Sequence, residues 1–135
     1  MRDNPIHTPL AVAHVRKMTR GKASIANTHP FVRVRSGRHI VFAHNGTLPN
    51  VWEIPLHEES TLGETDSEHA FCVLLERLRR IYGDRYPSDP MELGRALFDI
   101  GNDLARDGVF NFLLADGENL YARCGDNLAI VERRA

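Results

Sequence analysis

The chain has 135 residues, 42% of them apolar and 26% charged, and a net charge of −1. This suits one globular domain that buries about two-thirds of its unfolded surface. It excludes the basic footprint of a nucleic-acid binder, and no apolar run reaches the roughly 20 residues that span a bilayer. The opening residues, MRDNPIHTPL, lack the apolar core and cleavage site of a signal peptide. Cys72 and Cys124 lie far apart and are too few for a disulfide framework. Both are expected to be reduced, buried thiols of a cytosolic protein.

PLAVAHVR, Pro9 to Arg16, reads as a mostly apolar strand. A polar loop, Lys17 to Pro30, follows. FVRVR alternates with period two, SGR turns the chain and HIVFA continues it, so residues 31–43 predict a β-hairpin. That second strand is expected to end at His44-Asn45-Gly46. An irregular connection of about twenty residues should then run from Asn45 to Glu64, long enough to be functional or mobile.

From Thr65 the period becomes helical, with apolar residues at Phe71, Leu74, Leu75, Leu78, Ile81 and Tyr82. Thr65 and Glu68 form a capping-box pattern, so the helix should begin near Asp66. Asp89, Pro90 and Glu92 announce a second helix with the stripe Leu93, Ala96, Leu97, Ile100, Leu104 and a stop at Gly108. VFNFLLA, the Asp116-Gly117 turn and NLYARC predict a second hairpin, and NLAIVE a last short strand. Strands, two helices, then strands predict an α+β fold in which two packed helices cover one face of an antiparallel sheet.

Four segments place polar groups at strand ends or helix starts. In AHVRKMTRG, Arg16 closes a strand, where its guanidinium fork suits a carboxylate; it equally suits an ordinary surface arginine. In NTHPF, His29 precedes a proline and is pressed towards extended backbone; a loop histidine bonded to the main chain explains it as well. In AHNG, the Asn45 amide and the Gly46 N–H form a donor pair able to hold an oxyanion. An Asn-Gly turn is the alternative, but TLPNVWEIP after it does not alternate as a returning strand should. In GETDSE, Asp66 lies in the first turn of a helix, where the dipole favours a carboxylate; plain capping accounts for Thr65 and Glu68 without it. His14, His29, His39, His44, His57 and His69 show no metal-binding spacing, and there is no P-loop, no G-x-G-x-x-G and no G-x-S-x-G elbow. No metal or cofactor is expected.

AHVRKMTRG, NTHPF, FAHNG and GETDSE, in this order, closely resemble the class II glutamine amidotransferases, nearest their small stand-alone bacterial branch. The likeness continues through FCVLLERL and GVFNFLLADG and covers almost the whole chain. The resemblance implies an N-terminal-nucleophile hydrolase fold, an αββα sandwich of antiparallel sheets between helices. It also implies hydrolysis of the glutamine side-chain amide to glutamate and ammonia. By that resemblance Arg16 pairs with the substrate α-carboxylate, Thr19 helps to position the substrate, Asn45 and Gly46 form the oxyanion hole, and Asp66 accepts the α-ammonium. Lys17 stands where aminotransferase-coupled members carry an aromatic residue.

The family's nucleophile is a cysteine directly after the initiator Met, with its own α-amine as base. Here Arg2 follows Met1, and neither Cys72 nor Cys124 has a free α-amine. The resemblance therefore places a segment of several dozen residues before Asp3 and further strands after VERRA. Residues 1–135 are expected to be the central part of one domain, incomplete at both ends and without glutaminase activity alone. A catalytically inactive glutamine-binding or protein-interaction domain is the competing expectation, and a hydrolase of another γ-glutamyl amide, as in thiol-histidine biosynthesis, a variant of the first. The implied partners are glutamine or such an amide, a synthase that takes the ammonia, or a further copy of the chain. Nucleic acid and membrane are not among them, and the expected compartment is the cytoplasm.

Overall fold

The computed structural model describes residues 7–15, 24–126, 128–129 and 131–132. Strands β1 (Phe31–Arg35) and β2 (Arg38–Thr47) lead to helices α1 (Asp66–Tyr82) and α2 (Pro90–Leu104), then to strands β3 (Val109–Ala115) and β4 (Leu120–Arg123). The strands form one antiparallel sheet in the order β1-β2-β3-β4. Both helices pack on one face, so the fold is α+β as expected.

Local chemistry explains the elements. The Thr65 hydroxyl accepts the Glu68 N–H at 3.2 Å and starts α1, and Asp89 accepts the Met91 N–H at 2.9 Å ahead of Pro90 and starts α2. α2 buries Leu93, Ala96, Leu97, Ile100 and Leu104, the stripe read from the sequence. α1 buries Phe71, Leu74, Leu75 and Leu78, but also Ala70, Cys72 and Val73. Its outer side is covered too, because residues 51–60 lie against it.

Period-two alternation fixes which residues meet the helices. Ile40, Phe42 and His44 on β2 and Phe110, Phe112 and Leu114 on β3 face inward. Phe42 stacks on Phe71 of α1 at 4.7 Å, with Phe112 5.6 Å and Phe110 6.3 Å away. Each such buried ring contributes roughly 2–3 kcal/mol. The register puts Val32, Val34, Val41, Ala43 and Leu113 on the helix-free face. An apolar face of that kind suits the second layer of a sandwich.

Several expectations are corrected. Residues 9–15 carry no strand, and Arg16 lies outside the described residues. β2 does not stop at His44-Asn45-Gly46: Asn45 pairs with Asn111, Gly46 with Phe110 and Thr47 with Val109, so the irregular connection begins at Leu48. Leu128, Ala129, Val131 and Glu132 form no strand. α2 ends at Leu104, four residues before Gly108. Gly108 is needed instead for close approach, since a Cβ there would lie 2.1 Å from the Thr47 carbonyl oxygen. Cys72 is buried, but Cys124 is exposed. No helix among the described residues is long and apolar enough to cross a membrane.

Candidate functional site

The free end of β2, the start of α1 and the residues between them enclose a cleft of about 500 Å³. It is lined by Asn45, Gly46 and Thr47 at the end of β2, by Thr65, Asp66 and Ser67 at the start of α1, and by Leu48, Pro49 and Trp52 between them. His14, Val15 and His29 close the remaining edge.

Strand geometry places Asn45. His44 faces the helices, so its neighbour Asn45 points to the other face of the sheet, where its carboxamide is exposed and makes no side-chain hydrogen bond among the described residues. Gly46 is fixed by space: a Cβ would lie 1.8 Å from the Val109 carbonyl oxygen and 2.7 Å from His44 Nε2. Only glycine lets β2 pass β3 this closely.

Asp66 is the first residue of α1, where the helix dipole supports a carboxylate. Its Oδ2 accepts the Leu48 N–H and its Oδ1 the Ser67 N–H, both at 2.9 Å. Each oxygen offers two lone-pair directions, so acceptor capacity remains. The described lining residues include the acids Asp66 and Glu64 and no lysine or arginine. Arg16 and Thr19 lie outside the described residues, although Val15, the residue before Arg16, lines the cleft. Of the five site residues expected from the sequence, Asn45, Gly46 and Asp66 therefore meet at one cleft. His29 reaches its edge, with its ring 4.3 Å from that of His14.

The walls are held by buried carboxylates. Glu68 is 0% exposed and accepts Arg33 Nη2 at 2.6 Å, the Gly63 N–H at 2.7 Å and the Leu62 N–H at 3.0 Å. Burial pushes its carboxyl pKa up, but those bonds from Leu62, Arg33 and Gly63 outweigh burial and hold it below the usual range. Glu76 accepts the N–H groups of His57, Glu58 and Glu59 at 2.6, 2.7 and 3.0 Å on a single oxygen. Asn50 binds Asp107 through its N–H at 2.9 Å and its side chain at 2.7 Å. Trp52 leans on His69 at 4.9 Å, and His69 Nε2 lies 2.9 Å from the Ile54 carbonyl oxygen. The long connection is thus a pinned wall, where the sequence left function or mobility open.

His44 and Ser67 escaped the sequence reading as functional residues. His44, 2% exposed, lies beneath Gly46 with Nδ1 2.9 Å from Ser67 Oγ. The alternation Ile40-Phe42-His44 was the available signal that this histidine points inward.

The chain matches the family of class II glutamine amidotransferases over residues 1–135. It belongs to that family. It is 44% identical over 124 residues to the "Putative glutamine amidotransferase" of Haemophilus influenzae, covering 92% of this chain and 42% of that protein. It is 39% identical over 135 residues to "Putative glutamine amidotransferase YafJ" of Escherichia coli, covering 100% of this chain and 52% of that one. Its fold resembles the crystal structure of a predicted glutamine amidotransferase from Pseudomonas aeruginosa, with a TM-score of 0.65 and 39% identity over 74% of this chain and 38% of that one. The chain thus spans about half the length of the curated relatives it matches, or somewhat less.

Proposed function

We propose that residues 1–135 are the central part of a glutaminase domain and form most of its glutamine-binding site. In this reading the substrate side-chain carbonyl lies at the end of β2. When a nucleophile adds to that carbonyl carbon, the oxygen takes up negative charge, and Asn45 Nδ2–H and the Gly46 N–H donate to it. The amide nitrogen leaves as ammonia, and water releases glutamate from the acyl intermediate. Asp66 accepts the α-ammonium, and Arg16, with Thr19 beside it, pairs with the α-carboxylate.

The observation that carries the reading is that Asn45, whose exposed carboxamide makes no side-chain hydrogen bond among the described residues, lines the same cleft as Gly46 and Asp66. A zwitterionic amide needs an anion for its ammonium, a cation for its carboxylate and a donor pair for its carbonyl, and the family supplies the same set. Calorimetry with glutamine tests it. This chain is expected to bind, and Asp66→Ala and Arg16→Ala to weaken binding at least tenfold, the loss of about 1.4 kcal/mol or more. Unchanged affinity in both variants would overturn the assignment. Ammonia release is expected only from a form extended upstream to a Met-Cys start, and a folded but inactive extended form would leave the glutamine-binding domain as the better reading.

A further inference from the structure

His44 has both ring nitrogens engaged. Nε2 lies 3.1 Å from the Val109 carbonyl oxygen, which can only accept, so Nε2 carries the proton. Nδ1 of the neutral ring is then an acceptor, and Ser67 Oγ–H, 2.9 Å away, is its donor. The same Val109 oxygen and His44 Nε2 occupy the space a Cβ on Gly46 would need, so ring, carbonyl and glycine pack together at the tip of β2. On the far side, the Ser67 N–H donates to Asp66 Oδ1, and Asp66 Oδ2 receives the Leu48 N–H. Val109, His44, Ser67, Asp66 and Leu48 are thereby linked in one series that leaves β3, crosses to α1 and returns to the exit of β2.

We propose that Ser67 and His44 are positioning residues: the Val109 carbonyl holds His44 in its Nε2–H tautomer, which leaves Nδ1 to accept the Ser67 hydroxyl, and that bond sets the spacing between the Asn45–Gly46 donor pair and the Asp66 carboxylate. This rests on the glutamine reading above for its functional meaning. In the opposite tautomer, the Nε2 lone pair would oppose the Val109 carbonyl oxygen at 3.1 Å, and the Ser67 oxygen would have to become an acceptor. Strand tip and helix start would then separate, and the two substrate anchors with them. Asp66 and His14 are the titratable groups that act on His44. Burial, the largest influence, disfavours the charged ring, as does His14, while the Val109 carbonyl and Asp66 favour it, and the net result lies below the ordinary histidine value.

The experiment combines two measurements on the chain and its Ser67→Ala, Ser67→Thr and Asp66→Ala variants. Nitrogen-15 NMR reads the His44 tautomer and the backbone amides of Asn45, Gly46 and Leu48, and calorimetry reads glutamine affinity. The parent chain should show the Nε2–H tautomer alone. Ser67→Ala should keep that tautomer but shift those three amides and weaken glutamine roughly fivefold, the scale of one net hydrogen bond. Ser67→Thr, which restores a hydroxyl, should recover the amide positions and the affinity. An Nδ1–H or mixed tautomer in the parent chain, or unmoved amides in Ser67→Ala, overturns the positioning role. An unchanged glutamine affinity in Ser67→Ala also overturns it when Asp66→Ala abolishes binding. Absence of glutamine binding by the parent chain removes the glutamine reading instead, and the tautomer and amide shifts then decide the positioning role alone.

Discussion

Asp66 and Glu68 lie two residues apart in the first turn of α1, yet they serve opposite ends. Glu68 turns away from the cleft, is wholly buried, and gives its acceptors to Arg33, Leu62 and Gly63. Asp66 turns into the cleft, satisfies two local N–H groups and keeps lone pairs for a ligand. The same dipole favours both carboxylates. The difference lies in what the preceding loop brings within reach: residues 62–63 fold over Glu68 and leave Asp66 uncovered. In a capping-box helix, the acid that completes the motif can be the structural one and its neighbour the one left for a ligand. Glu68 does not even close the box in the usual way, since its side chain reaches Leu62 and Gly63 rather than the N-cap.

The comparison can be broken most sharply at Glu68. Glu68→Gln keeps the size but sets an amide NH₂ against N–H donors or the Arg33 guanidinium. It should cost about 3 kcal/mol in urea unfolding, while any effect on glutamine affinity follows only the loss of folded protein. A loss below about 0.5 kcal/mol would show that the Glu68 carboxylate does not hold Arg33 and the 62–63 loop in place.

Gly46→Ala should come next, at about 2 kcal/mol, because its Cβ meets the Val109 backbone and the buried His44 ring. Its amide-exchange protection should fall first at the β2–β3 end. Asp66→Asn reverses the Glu68 pattern: stability should change by about 1 kcal/mol or less, and glutamine binding should fall at least tenfold, the loss of about 1.4 kcal/mol. A large stability loss with retained binding would make Asp66 the structural acid of the two.

The smallest effect is on pH. In Glu68, Glu76 and Asp116 burial alone raises the carboxyl pKa, but hydrogen bonds outweigh it and hold all three below their ordinary values. Unfolded glutamate and aspartate titrate near pH 4.3 and 3.9. A group depressed in the folded state contributes fully above its unfolded pKa and loses that contribution as pH falls through its folded one. Stability should therefore be nearly flat with respect to these groups above about pH 5 and decline below it. The decline should be shallower in Glu68→Gln.

Both helices and both hairpins were legible because their signals are local: cap residues beside the first turn, an unbroken stripe, Ser-Gly and Asp-Gly turns. The overrun of β2 was not. Asparagine and glycine are poor strand residues, and what keeps Asn45 and Gly46 extended is Asn111 and Phe110, far along the chain. Glu68 read only as a capping-box acid and Glu76 carried no signal, because their backbone N–H donors belong to a loop without a pattern. The segment 9–15 has an apolar strand's composition, but no neighbouring strand among the described residues completes it. Within the site, the residue types of Asn45, Gly46 and Asp66 singled them out, and the fold lines one cleft with all three. The Ser67–His44 link did not, since neither residue stands in a motif with the other, and only the packing of α1 on β2 brings them together.

The two thiols differ as much as the two acids. Cys72 is enclosed between α1 and the loop, with its Sγ 3.6 Å from the Ser60 carbonyl oxygen, and burial pushes its pKa up to about 11. Cys124 stands exposed just after β4. At neutral pH a maleimide dye should therefore attach at Cys124 alone, without mutagenesis. From there it would report on the face formed by α2 and β4, where Phe98 and Leu120 are uncovered. Any protein that seats itself on that face would announce itself as a change in emission.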